Sequence, residues 1–409
     1  MEKIAVIGAG ILGVNTAYFL SKAGYEVTVF DSERYAGMET SFSNAGQISA
    51  CNAETWTTWK NISSGIKWMF RDDAPLKFNP LPNILNPYET YLRYKWCSHF
   101  FLTSLNGSQK INSEKGFEIS LRSRELYLKI VEEEGLDFDF LQRGILQIVE
   151  SESQLDELYA KKNWIENMGI EWDCLDKEGV YKVEPALKGN ESIVGGVFTK
   201  SDASGDIHKF CVALSKNLRK KYGVTFKFSE KVKDISGNSN PYVVTEIDQY
   251  PFDKVVICAG VQSQFFSNKF KDGLIIYPVK GYSITIDLAD SKSINSAPIV
   301  SVKDDTKKIA CSRIGDRLRV AGTAELGGFN KDIRHARIQP LVEWTKKRFP
   351  SVETENFLPW AGLRPMTSTM MPVIRRSKKE NVFYNTGHGH LGWTMGAYSG
   401  KLITDIIKS

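Results

Sequence analysis

The sequence predicts an α/β fold in which two domains are interleaved, one on a parallel sheet and one of α+β type on an antiparallel sheet. Three observations predict it. Residues 3–31 read strand, glycine-rich turn, helix, strand, acid. A second glycine-rich turn opens a helix near residue 387. Strand-like runs cluster between them, at 281–287, 308–312 and 317–321. The chain's 409 residues suit two or three domains at roughly 100–200 residues each. A hydrophobic fraction of 42% and a net charge of +5 exclude a disordered chain and do not suggest a nucleic-acid partner. The six cysteines form no CxxC pair, which argues against a zinc ribbon and fits a reducing compartment.

The first element, Lys3-Ile4-Ala5-Val6-Ile7-Gly8, is apolar and β-branched, as a buried parallel strand requires. It breaks into Gly8-Ala9-Gly10-Ile11-Leu12-Gly13. Apolar residues then recur at helical spacing (Val14, Ala17, Tyr18, Leu20), Gly24 stops the helix, and Glu26 to Phe30 is a second strand ending at Asp31. This is the Rossmann-like dinucleotide-binding pattern. Gly8 permits the tight turn, Gly10 lets a pyrophosphate approach the backbone, and Gly13 lets helix and strand pack. Ile11 and Leu12 begin the helix whose N–H groups and dipole favour phosphate. Asp31 suits ribose hydroxyls and argues against a 2′-phosphate, hence against NADP. The apolar opening, Ile4 to Val14, is too short and glycine-rich for a membrane span and is read as part of the folded chain.

Choosing between FAD and NAD takes more than the fingerprint. FAD is favoured by the motif's place at the start of the chain, by the lack of a second GxGxxG after a strand, and by the later glycine turn. That turn, Thr386-Gly387-His388-Gly389-His390-Leu391-Gly392, precedes apolar residues at 391, 393, 395, 402, 403, 406 and 407, a buried helix. Its N-terminus is suited to negative charge on a reduced flavin. His388 and His390 form a His-x-His pair, but no carboxylate or cysteine stands nearby, so no metal is expected.

Five stretches carry a family resemblance: Glu39 to Ile48 (ETSFSNAGQI), Ile66 to Phe70 with Ala74-Pro75-Leu76, Tyr277 to Ser283, Gly362 to Thr367, and Thr386 to Met395. On them the chain resembles the FAD-dependent D-amino-acid oxidase and glycine oxidase superfamily, most of all its bacterial D-amino-acid dehydrogenases. It departs from that pattern at Ser368-Thr369-Met370-Met371-Pro372, where an Asp-Gly is usual, and at His390. Both departures bear on substrate preference.

The resemblance implies an FAD domain built from residues 1–55, 200–275 and 355–409, and a substrate domain from 56–199 and 276–354. It adds Ser32, Thr40, Ser41, Gly46, Gln47, Ile48, Val232, Ala259 and Gly260 to the cofactor contacts. Gly387, His388, Gly389, Leu391 and Gly392 would line the flavin through their main chain. The flavin is expected to be non-covalent, although a covalent link at His388 has parallels in the superfamily.

Oxidising an amine beside a carboxylate needs the Cα–H placed over the flavin, from which hydride leaves to N5. It also needs a planar cation to fix the carboxylate. Arg364, in Gly-Leu-Arg-Pro, is the expected clamp. Tyr282 is either a hydroxyl partner for the same carboxylate or a half-buried strand residue, and His390 is grouped with them at the site. The expected reaction turns D-amino acids into 2-oxo acids and ammonia. An oxygen-using oxidase of glycine, sarcosine or D-proline, and a non-catalytic flavin-binding subunit, stay open as alternatives.

Aromatics concentrate in residues 56–101: Trp56, Trp59, Trp68, Phe70, Phe78, Tyr88, Tyr91, Tyr94, Trp96, Phe100 and Phe101, with six Lys or Arg interleaved. Such a mixture suits either a lid on the substrate domain or a bilayer interface. With the resemblance, the expectation is a cytoplasmic enzyme associated with the inner face of the membrane and passing electrons to a quinone or other non-oxygen acceptor.

Overall fold

Strand Lys3–Ile7 buries four successive apolar residues and alternates them between two sides of its sheet. In this computed structural model, which describes residues 1–59, 61–63, 76–78, 86–237 and 239–409, that strand lies inside a six-stranded sheet. The order is Val373–Arg376, Val382–Thr386, Lys254–Ile257, Lys3–Ile7, Glu26–Phe30, Thr225–Lys227. Every pairing is parallel except that of the first strand. Ile4 and Val6 face helices Ile11–Lys22, Ile207–Tyr222 and Gly392–Lys408. Ala5 and Ile7 face helix Ser263–Phe270 and a small antiparallel sheet, Val232–Ser236, Tyr242–Thr245 and Gln249–Pro251. Three layers result, with apolar core on both sides of the central sheet.

The second sheet has nine strands. Its path runs Phe357–Thr367, Ile276–Asp287, Arg317–Leu326, Ile309–Ile314, Ser301–Asp304, Ile145–Val149, Gly195–Thr199 and Asp173–Asp176, with Leu76–Phe78 beside Arg317–Leu326. Pairing is antiparallel except at Ser301–Asp304 with Ile145–Val149 and at Leu76–Phe78. Helix His335–Arg348 covers one face, packing Ile338, Leu341 and Trp344 on Tyr282, Ile284 and Val320.

Two segments sit elsewhere than the sequence division puts them. Strand Phe357–Thr367, grouped there with the first domain, pairs along Ile276–Asp287 in the second sheet. Helix Gln109–Glu134, grouped with the second, places Tyr127 and Ile130 in the core of the first. In both cases the partner is distant along the chain, so local pattern did not reveal it. The stretch Ser151 to Met168 is two helices, Glu152–Ala160 and Lys162–Asn167. Parts of the aromatic segment, including Lys60, Lys67, Trp68, Phe70 and Arg71, and the 66–70 string with Ala74-Pro75, lie outside the described residues.

Candidate active site

The two sheets meet at a cleft of about 2000 Å³, larger than the ~1,000 Å³ upper end for drug-sized ligands. The glycine turn forms one end. Gly8 has φ +104, and a Cβ there would approach the Cys258 carbonyl oxygen at 2.6 Å. A Cβ on Gly13 would come within 1.8 Å of the Gly8 carbonyl oxygen, so these two glycines serve the turn and the helix–strand contact. Gly10 differs. Its φ of −70 suits any residue, and a Cβ would meet only Ser41 Oγ at 3.4 Å. The open space beside it faces the cleft at the helix N-terminus, where Gly10 itself supplies no capping side chain. A pyrophosphate fits that cradle.

Asp31 Oδ2 accepts the Ala9 N–H at 2.5 Å and Oδ1 accepts the Glu33 N–H at 2.8 Å. Burial raises the carboxyl's pKa, and these two bonds work against that. The acid therefore braces the turn while lining the cleft. Ile11, Leu12, Ser32 and Ser41 line the same end, and Ser41 Oγ accepts the Ile11 N–H at 3.1 Å. Val232, Ala259 and Gly260 border it from the other side; Gly260, at φ +53, has nothing within 4 Å of a Cβ.

Further along lie Thr40, whose hydroxyl donates to the Leu363 carbonyl at 2.8 Å, and Gln47, whose amide donates to Ser301 Oγ at 2.8 Å. The later turn brings His388, Gly389, His390, Leu391 and Gly392 to the cleft. Gly13, Gly46, Ile48 and Gly387 are not among its lining residues. Ile48 is in the core of the first domain, and Gly46 and Gly387 have positive φ at points where a Cβ would meet Ile314 and Thr367.

His388 Nε2 lies 2.9 Å from Ser399 Oγ, and burial holds its pKa down to about 3. Its Nδ1, like Trp393 Nε1, is buried without a hydrogen-bond partner among the described residues. Orphaned polar atoms beside an open cradle suit a polar, planar ligand. The imidazole of His390 stacks on Trp56 with centroids 4.4 Å apart. Burial, then the Arg364 and Lys303 cations, hold it neutral with a pKa of about 3.

Arg364 projects from strand Phe357–Thr367 on the face where its guanidinium lies over Gly281. A Cβ at 281 would meet Nη2 at 2.3 Å, which explains the glycine in the Lys-Gly-Tyr string. Nη1 donates to the Thr323 carbonyl at 3.2 Å, and no acidic side chain among the described residues forms an ion pair with it. Burial lowers its pKa to about 10, so the cation persists at neutral pH. An uncompensated cation in a cleft calls for an anionic ligand.

Tyr282 also lines the cleft, but its hydroxyl is directed elsewhere. It is one residue from Gly281 in a strand, so its side chain points to the opposite face. It packs with Ile284 and Ile286 under helix His335–Arg348, and its hydroxyl donates to Glu325 Oε2 at 2.7 Å. Sequence reasoning missed Trp56 as a wall residue, Lys303, which donates to Asn52 Oδ1 at 2.5 Å, and Thr323. It also missed Met370, which takes φ +60 and offers its sulfur to the Trp56 N–H at 3.0 Å. The departure from the family pattern at 368–371 was the available signal for Met370.

A family profile described as "DAO: FAD dependent oxidoreductase" matches residues 3–406, and the chain belongs to that family. FAD is accordingly its cofactor. Among curated relatives, "D-amino acid dehydrogenase 3" of Mesorhizobium japonicum is 43% identical over 100% of this chain and 98% of its own. A "D-amino acid dehydrogenase" of Sinorhizobium medicae is 36% identical over 99% and 96%. Among solved structures, glycine oxidase from Geobacillus kaustophilus aligns over 100% of this chain and 95% of its own, with a TM-score of 0.76 and 19% identity. That last likeness speaks for the fold.

Proposed function

We propose that this chain is an FAD-dependent D-amino-acid dehydrogenase, releasing 2-oxo acids and ammonia. The observation that carries the reading is Arg364, a half-buried cation with no counter-charge among the described residues, in the same cleft as the Gly10 cradle. The relatives' names agree with it. Arg364 pairs with the substrate carboxylate, and His390 and Trp56 wall the space beside it, excluding water without adding charge. FAD, held at Gly8, Gly10, Ile11, Leu12, Asp31, Val232, Gly260 and residues 388–392, supplies a two-electron acceptor. The flavin is non-covalent in this reading, and yellow colour left in an acid-precipitated pellet would overturn that.

The electron acceptor in this reading is a quinone or another non-oxygen acceptor, reached at the inner face of the cytoplasmic membrane. Support comes from helix Pro87–Leu105, which exposes Tyr88, Tyr91, Tyr94, Phe101, Leu102 and Leu105. No helix among the described residues is long and apolar enough to cross a bilayer. The test of the reaction is anaerobic addition of D-amino acids to the purified yellow protein. Bleaching of the flavin by D- but not L-enantiomers is expected; an unchanged spectrum with every D-amino acid overturns the reading.

A further inference from the structure

Strand Arg317–Leu326 contains an irregularity that regular pairing does not explain. Its partner strand matches Tyr282 to Gly322 and Lys280 to Glu325, so Gly281 alone faces the two residues Thr323 and Ala324, a β-bulge. At the bulge Thr323 has φ +53. A β-branched residue is unfavourable in that left-handed region, where glycine or asparagine is usual. Backbone strain of this sort persists when the surroundings hold it in place, and it is concentrated at ligand sites.

The bulge sits opposite Gly281, the residue over which the Arg364 guanidinium lies. It turns the Thr323 carbonyl onto Arg364 Nη1 at 3.2 Å. The Thr323 side chain is 6% exposed, lines the cleft, and leaves Oγ1 buried without a partner among the described residues. A buried hydroxyl without a hydrogen bond is costly unless a ligand completes it. One residue thus holds the arginine through its main chain and presents an unsatisfied donor beside it.

We infer that Thr323 is a substrate-binding residue whose hydroxyl donates a second hydrogen bond to the carboxylate paired with Arg364, the bulge existing to present both groups together. The inference rests on the reading of Arg364 as the carboxylate anchor. It also gives the strain a function: a relaxed strand would turn the Thr323 carbonyl and hydroxyl away from the cation.

The test uses the FAD-loaded enzyme and two probes: benzoate, a plain carboxylate read by its perturbation of the flavin spectrum, and D-alanine, read by anaerobic flavin reduction. Thr323→Val keeps the β-branched shape and removes the hydroxyl. It should weaken benzoate binding and raise the half-saturating D-alanine concentration about tenfold each, with a smaller change in the limiting reduction rate. Thr323→Ser should restore both. Thr323→Gly, at ease in the left-handed backbone, should show the same loss as Val and serves if Val folds poorly. Wild-type binding by the Val and Gly variants, or a Ser variant no better than Val, overturns the inference. If the wild-type protein binds benzoate but no D-amino acid reduces it, the proposed reaction fails while the benzoate measurements still decide the role of Thr323.

Discussion

A single cation decides more here than any other side chain. Arg364 carries its charge in the cleft with one described hydrogen bond, to a carbonyl, so removing it deletes most of the attraction for a carboxylate. Arg364→Ala should raise KM for D-amino acids by roughly 100-fold, from ~3 kcal/mol of charged hydrogen bonding, with flavin content unchanged; steady-state kinetics with a dye acceptor checks it. The two cleft histidines set an acid limit. Their imidazoles have pKa values of about 3 in the fold against 6.5 when unperturbed. The unfolded chain therefore takes up these protons first. Their contribution to stability is complete above about pH 6.5 and is lost as pH falls toward 3. A plot of Tm against pH should rise from about pH 3 to about pH 6.5, and His390→Gln should make that rise shallower. The arginine was legible in the sequence because it stands in a distinctive string. Tyr282 stood in a distinctive string too, yet the string could not show that its hydroxyl bonds Glu325. Thr323 was illegible, since nothing in a threonine announces a positive φ.

Elements differ in how openly they declare themselves. The Ile11–Lys22 helix and its two flanking strands follow from glycine spacing and apolar runs, both local signals. Helix Gln109–Glu134 belongs to the first core, a placement local pattern could not show, because its Tyr127 hydroxyl meets Asn15, 112 positions away. Helix Pro87–Leu105 buries Leu92 and Trp96 against Tyr277 and Met366 while turning its tyrosines outward. Composition indicated an aromatic excess there, and burial shows which rings are exposed. If this face meets a bilayer, the purified enzyme should co-sediment with phosphatidylglycerol vesicles. Tyr91→Glu with Leu102→Glu should reduce that binding several-fold without altering dye-coupled turnover. Equal sedimentation of variant and parent would remove the helix from the contact.

Across the whole molecule, the cleft joins two sheets whose strands alternate along the chain, so the glycine cradle and Arg364 come from opposite ends of the sequence. With a non-oxygen acceptor, reduced enzyme should persist in air: peroxide release with D-alanine is expected to be a small fraction of the dye-reduction rate. Matching rates would make the protein an oxidase. The sequence by itself determined the dinucleotide-binding unit and the cofactor, because each rests on short-range spacing or on a contiguous string. Tertiary structure alone decided that Phe357–Thr367 borders Ile276–Asp287, that the Tyr282 hydroxyl pairs with Glu325, and that a bulge sets Thr323 against Arg364. The physical reason is that these depend on strand register and on which face of a sheet is covered. Both are fixed by residues tens to hundreds of positions apart.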